Sequence, residues 1–91
     1  MYHIHYHESV IDDLQKITKT DKQKIKKAIE KKLMTNPLIF GEPLRSNLVG
    51  YRKLRVGEYR IVYQIVKQEN TLIIIIAHRR NVYDRVGHRM E

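Results

Sequence analysis

The 91-residue chain has no cysteine, which excludes a disulfide framework and any thiolate metal site. Long apolar runs are missing too. The longest, Leu72 to Ala77, is far too short to cross a bilayer. Tyr2 to His7 alternates polar and apolar residues instead of running apolar, so no secretory leader is expected. Acids are scarce, with ten Asp and Glu against 18 Lys and Arg. These shortages predict a soluble protein without membrane contact, compatible with the cytoplasm, and no cofactor is expected.

What is present fits one globular domain over residues 1–91, able to bury one modest core. Hydrophobic residues make up 42% and charged residues 31%, a balance that excludes intrinsic disorder. The formal charge of +8 on so small a body sets up a field that favours polyanions. The charge also changes in kind along the chain. Residues 1–45 hold eight Lys and one Arg against six acids, and residues 46–91 hold two Lys and seven Arg against four. Lysines in the first half read as the solvated faces of helices. Arginines in the second half fall where strands are expected, and their planar fork suits phosphate.

Period-two alternation makes Tyr2 to His7 a strand. His3, His5 and His7 share one face, but their spacing along a flat strand suits a single metal ion poorly, so they read as a polar face. Ser9, followed by Asp12 and Asp13, signals a helix start, and Thr20 with Gln23 signals a second. Ile25, Ala28, Ile29 and Leu33 then recur at helical spacing, and Asn36-Pro37 ends the helix. Residues 38–50 read as a loop. Tyr51–Val56 and Tyr59–Val66 form a hairpin about Gly57-Glu58. Gln68-Glu69-Asn70 turns the chain again, and Leu72–Ile76 is a central strand covered on both faces. Arg79 to Arg89 is a short basic tail with at most a helical turn. The expected fold is α+β in the order β-α-α-β-β-β, a helical hairpin on an antiparallel sheet of about four strands.

On this pattern Lys53 and Arg55 face away from Leu54 and Val56, and Arg60 begins the next strand beside the hairpin turn. Arg79 and Tyr83 follow the central strand. These five residues can meet at one end of the sheet, and four acids cannot neutralise nine Lys and Arg within the second half. Such a concentration of like charge is costly unless an anion fills it. Tyrosine adds a face on which unpaired bases stack.

The stretches Leu44-Arg45-Ser46-Asn47-Leu48-Val49-Gly50, then Tyr51-Arg52-Lys53-Leu54-Arg55-Val56-Gly57-Glu58-Tyr59-Arg60-Ile61-Val62-Tyr63, and Ala77-His78-Arg79-Arg80-Asn81-Val82-Tyr83 resemble the RelE/ParE toxin superfamily of type II toxin-antitoxin systems, over nearly the whole chain. The resemblance implies a ribosome-dependent, metal-independent endoribonuclease. In it the 2′-hydroxyl of messenger RNA attacks the adjacent phosphate, leaving a 2′,3′-cyclic phosphate. It further implies that Arg60 and Arg79 stabilise the pentacovalent phosphate and that Lys53 neutralises charge or moves a proton. Tyr83 would stack on or orient the base, or help move a proton, and Arg55, with Arg45, Arg52 and Arg80, would hold the RNA backbone. His78 and His88 stand as acid or base candidates, as histidine serves some relatives. The implied partners are messenger RNA, the ribosome and a cognate antitoxin, with apolar grooves beside the helices as docking surfaces. Two rival expectations share the sequence pattern: a ParE-like inhibitor of DNA gyrase without nuclease activity, and a plain RNA-binding module.

Overall fold

A computed structural model describes residues 1–67 and 69–89; Gln68, expected in a turn, lies outside the described residues. The chain runs through β1 (His3–Tyr6), α1 (Val10–Gln15), α2 (Lys19–Ala28), a π-helical turn (Ile29–Leu33) and α3 (Pro37–Phe40). It continues through β2 (Glu42–Pro43), a 3-10 turn (Ser46–Leu48), β3 (Arg52–Val56), β4 (Tyr59–Lys67), β5 (Asn70–His78) and α4 (Val82–Arg89). The strands form one five-stranded sheet in the order β1-β5-β4-β3-β2. The α+β class is as expected; the sheet is mixed instead of wholly antiparallel. β1 runs parallel to β5, and every other pairing is antiparallel. The helices carry the chain from β1 to the far edge, and the β2–β5 meander walks back to it. An even number of reversals leaves β5 aligned with β1.

Local chemistry sets the helix ends, and not always where expected. Thr18, not Thr20, caps α2, its side-chain oxygen accepting the Asp21 N–H at 3.3 Å. Ser9 precedes α1 without a side-chain cap, its own N–H donating to His7 Nδ1. Asn36 stops one helix and starts another, because its Oδ1 accepts the Ile39 N–H and Pro37 occupies the first turn of α3. The segment expected to be plain loop therefore contains a short helix, a two-residue strand and a 3-10 turn.

Two apolar layers flank the sheet. On one face Leu54, Ile61, Tyr63, Ile73 and Ile76 pack against Val10, Ile17, Ile25 and Leu33. On the other, Val62, Ile74, Ile75 and Ala77 pack against Val82 and Val86 of α4. Strict alternation would put Ile74 and Ile75 on opposite faces. A register shift pairs Val62 with Ile75 but Tyr63 with Ile73, so β5 carries an extra residue, and both isoleucines face α4. The apolar run Leu72–Ala77 is thus covered on both faces, as anticipated. An apolar groove of about 570 Å³ opens between β1 and α2, lined by Tyr2, Ile4, Leu14, Ile25 and Ile29 among others.

β1 pairs only with residues 70–73 of β5, leaving the backbone edge beyond without a strand. Asp13, 1% exposed, fills that place. Its Oδ2 accepts the Ile76 N–H at 3.1 Å, and Arg89 donates to the Ile74 carbonyl at 3.1 Å. Arg89 reaches Asp13 Oδ2 at 2.6 Å and Arg85 reaches Oδ1 at 2.8 Å. The basic tail is therefore an eight-residue helix clamped to α1 across the end of the sheet. Two arginines expected to lack acids find theirs in the other half of the chain.

Tyr63 is fully buried, and its Oη donates to the Pro37 carbonyl at 2.6 Å. A Cβ on Gly41 would collide with this hydroxyl, so glycine is required by the close approach. Burial pushes the Tyr63 pKa above its ordinary 10.0, with the neighbouring Arg52 opposing the shift.

Two stability predictions follow from these contacts. Asp13→Ala leaves two arginines and a strand N–H without their acceptor and is expected to cost about 3 kcal/mol. That lowers the thermal midpoint by roughly 12–24 °C, as read by circular dichroism; an unchanged midpoint would show that the clamp contributes nothing. The raised pKa of Tyr63 means that the folded chain holds this proton more tightly than the unfolded chain. Its contribution is complete below pH 10.0 and is lost as pH rises through the higher folded value. Tyr63→Phe should remove that alkaline loss while giving up about 1 kcal/mol from the hydrogen bond. Denaturant titrations across the alkaline range measure both effects.

Candidate nucleic-acid interface

The β3–β4 hairpin places most of the expected cations. Its two-residue turn uses Gly57 at φ 58°, a left-handed conformation that favours glycine. The register sets Arg55 opposite Arg60 and Lys53 opposite Val62, so these three side chains share the face that α4 covers. Two arginines facing each other repel. Arg60 relieves this by folding back on the turn, its Nη1 donating to the carbonyls of Gly57 and Tyr59 at 3.0 and 2.9 Å. Arg55 is exposed and, among the described residues, makes no ion pair.

Lys53 joins two groups. Its Nζ lies 3.9 Å from Glu42 Oε2 and 5.7 Å from the centroid of the Tyr83 ring. The clamp on α4 holds Tyr83 in that place, 39% exposed. Beside them opens a polar cleft of about 340 Å³, lined by Lys32, Phe40, Glu42, Lys53, Leu54, Arg55 and Arg60. Lys32, Phe40 and Glu42 were not anticipated. In the sequence Lys32 reads as part of a solvated helix face and the other two as loop, since nothing local shows that β2 will line up beside β3.

Arg79 stands at the same hairpin end, its N–H donating to the Glu58 carbonyl at 2.8 Å. Its Nε is also 2.8 Å from Glu58 Oε2, so the side chain expected to be free for phosphate has a carboxylate on it. Arg80 is exposed in the turn after β5, its N–H donating to His78 Nδ1 at 3.2 Å. Arg45 is exposed at the start of the 3-10 turn.

Neither Arg45 nor Arg80 lines the cleft, and Arg52, His78 and His88 are not brought together with the rest either. Arg52 pairs with Tyr63 on the opposite face of β3, and its guanidinium donates to the carbonyls of Leu38 and Gly41 at 2.8 and 2.7 Å. It ties α3 to the sheet, because strand alternation turns it away from Lys53 and Arg55. His78 faces Tyr59, ring to ring at 5.9 Å, with Nε2 3.9 Å from Glu58. It shares the Tyr59 face, not that of Arg60. His88 is exposed in the last turn of α4, about 140° around the helix from Tyr83. Among the described residues no His and acid cluster could hold a metal ion, and His5 bonds Asn70. Nor is any described helix long and apolar enough to cross a membrane.

The arrangement is a cationic cleft with one carboxylate and two aromatic side chains at its margins, suited to a phosphodiester between bases. A family model described as the ParE toxin of the type II toxin-antitoxin system, parDE, matches residues 4–83. Toxin RelE of Mycobacterium tuberculosis is 31% identical over 86 residues, 94% of this chain and 89% of that one. Toxin RelG of the same organism is 39% identical over 54 residues, where this chain spans 62% of the relative's length. Among solved structures, the toxin-antitoxin complex RelBE2 from M. tuberculosis superposes with a TM-score of 0.79 at 28% identity, covering 86% of this chain and 91% of that one. With most of its length matched by that model and its fold shared with such a toxin, the chain belongs to the RelE/ParE family of type II toxins.

Proposed function

We propose that the chain is a ribosome-dependent endoribonuclease that cleaves messenger RNA without a metal, and that a cognate antitoxin silences it. The observation that carries this reading is the cleft on β3 and β4. It combines a phosphate-sized concentration of positive charge from Lys53, Arg55 and Arg60 with a carboxylate, Glu42, at its rim. RelBE2, similar over most of this chain, is a toxin-antitoxin complex, which supports the partner.

In this mechanism Arg55 and Arg60 hold the scissile phosphate. Glu42 takes the proton from the 2′-hydroxyl, whose oxygen attacks phosphorus. The bond from phosphorus to the 5′-oxygen breaks as the 2′,3′-cyclic phosphate closes. The 5′-oxygen leaves as a hydroxyl with a proton that Lys53 is placed to give. Arg60 and Arg79 stabilise the added charge of the pentacovalent phosphate, and Tyr83 stacks on a flanking base. Arg79 must first exchange Glu58 for phosphate. This exposed pair is weak enough to open, and the exchange swaps one anion for another.

Expression in a translation extract, followed by primer extension on the messenger, tests the reading. Cuts at ribosome-occupied codons are expected, falling by about 100-fold or more in Arg60→Ala and Arg79→Ala. Blocked growth with intact messenger would replace the nuclease by an inhibitor of DNA gyrase, to be checked by supercoiling assay. Glu58→Gln frees Arg79 and should raise the salt needed to elute the protein from a heparin column. Unchanged elution would mean that Glu58 does not compete for that arginine.

A further inference from the structure

Phe40 is the only phenylalanine in the chain and it is 46% exposed, though an aromatic ring of its size normally contributes to a core. Its position is not that of a slack loop side chain. α3 is tied to the sheet at three carbonyls, with Tyr63 donating to Pro37 and Arg52 donating to Leu38 and Gly41. The ring borders the cleft that holds Lys53, Arg55 and Arg60. Lys32 stands by it, Nζ 5.9 Å from the ring centroid. Lys32 belongs to the π-helical turn after α2, where the Met34 N–H bonds back to the Ile29 carbonyl. Such widened turns are frequent at functional sites.

Lys53 is near both rings, since it lines the cleft with Phe40 and sits over the Tyr83 ring. Two exposed aromatic rings thus neighbour one group of cations. Single-stranded RNA offers that pattern in reverse, with flat bases on either side of each phosphate. Proteins that hold it combine a basic groove with aromatic platforms. We propose that Phe40, with Lys32 beside it, is a second base-stacking subsite, taking the base on the side of the bound phosphate away from Tyr83. The proposal rests on the RNA reading of the cleft and adds to it a residue that the family resemblance does not assign.

The chain has no tryptophan, so Phe40→Trp installs a single reporter at the subsite. At low ionic strength, a short single-stranded oligoribonucleotide should quench its emission, and an abasic strand of equal length should bind without quenching. By anisotropy, Phe40→Ala and Phe40→Leu should weaken binding of the normal strand about tenfold, with Phe40→Tyr close to the parent. None of the three should alter binding of the abasic strand, whereas Arg60→Ala should weaken both strands. Equal affinity of Phe40→Ala and the parent for the normal strand would overturn the subsite while leaving the phosphate reading intact. Phe40 would then join the exposed Leu38 and Ile39 in an apolar surface for a protein. Failure of Arg60→Ala to weaken either strand, or failure of both strands to bind, would overturn the RNA reading and the subsite with it.

Discussion

A single buried carboxylate holds the two sides of this molecule together. Asp13 receives a strand N–H and two guanidinium groups at the place where β1 ends and β5 continues without a neighbour. An unpaired strand edge must find other partners for its N–H and C=O groups. Here Asp13 and Arg89 supply one acceptor and one donor where a longer β1 would have supplied them from its backbone. A buried anion is tolerated only when its charge is matched, and both matching arginines come from α4. The contact therefore requires α4 to lie across the sheet, which buries Val82 and Val86 and presents Tyr83 to Lys53. The stability of the fold and the geometry of the cleft share one origin.

The excess of arginine divides accordingly. Arg85 and Arg89 are structural cations, and Arg52 is a structural donor that fastens α3 to the sheet. Arg60 and Arg79 are held on the carbonyls and carboxylate of the hairpin turn, in contacts exposed enough to exchange. Arg55 remains with its charge uncompensated among the described residues. Net charge alone overstates how much positive charge an anion meets. The local field of the cleft comes from a few side chains whose partners are weak, and weak partners are what a bound phosphate can displace.

Much of the architecture was legible because its signals are local. Alternation identified β1, β3 and β4, the Gly57-Glu58 turn marked the hairpin, and the apolar run marked a strand buried on both faces. Lys53, Arg55 and Arg60 could be brought to one end of the sheet because the hairpin turn fixes which residues flank it, and the register then put them on one face. What escaped depended on distant partners. Thr18 and Thr20 both carry capping chemistry, and it is the Thr18 oxygen that accepts the Asp21 N–H. Alternation already puts Arg52 on the Leu54 side of β3, away from Arg55, but the carbonyls it bonds come from a distant segment. Glu42 and Phe40 carried no periodic signal. They reach the cleft only because β2 pairs with β3 and because α3 is fastened by side chains from two other strands.

By itself, then, the sequence determined β1, the helical segment before Asn36, the β3–β4 hairpin and its cations, the central strand β5, and a motif specific enough to place the chain in its family. Each of these depends on residues close along the chain, where steric preference and side-chain period act directly. The parallel placement of β1, the bulge that turns Ile74 and Ile75 to one face, and the choice of structural arginines were decided only by the tertiary structure. So was the completion of the cleft by Lys32, Phe40 and Glu42. These depend on which groups must be paired once water is excluded, and burial is a property of the whole chain that no local stretch of it carries.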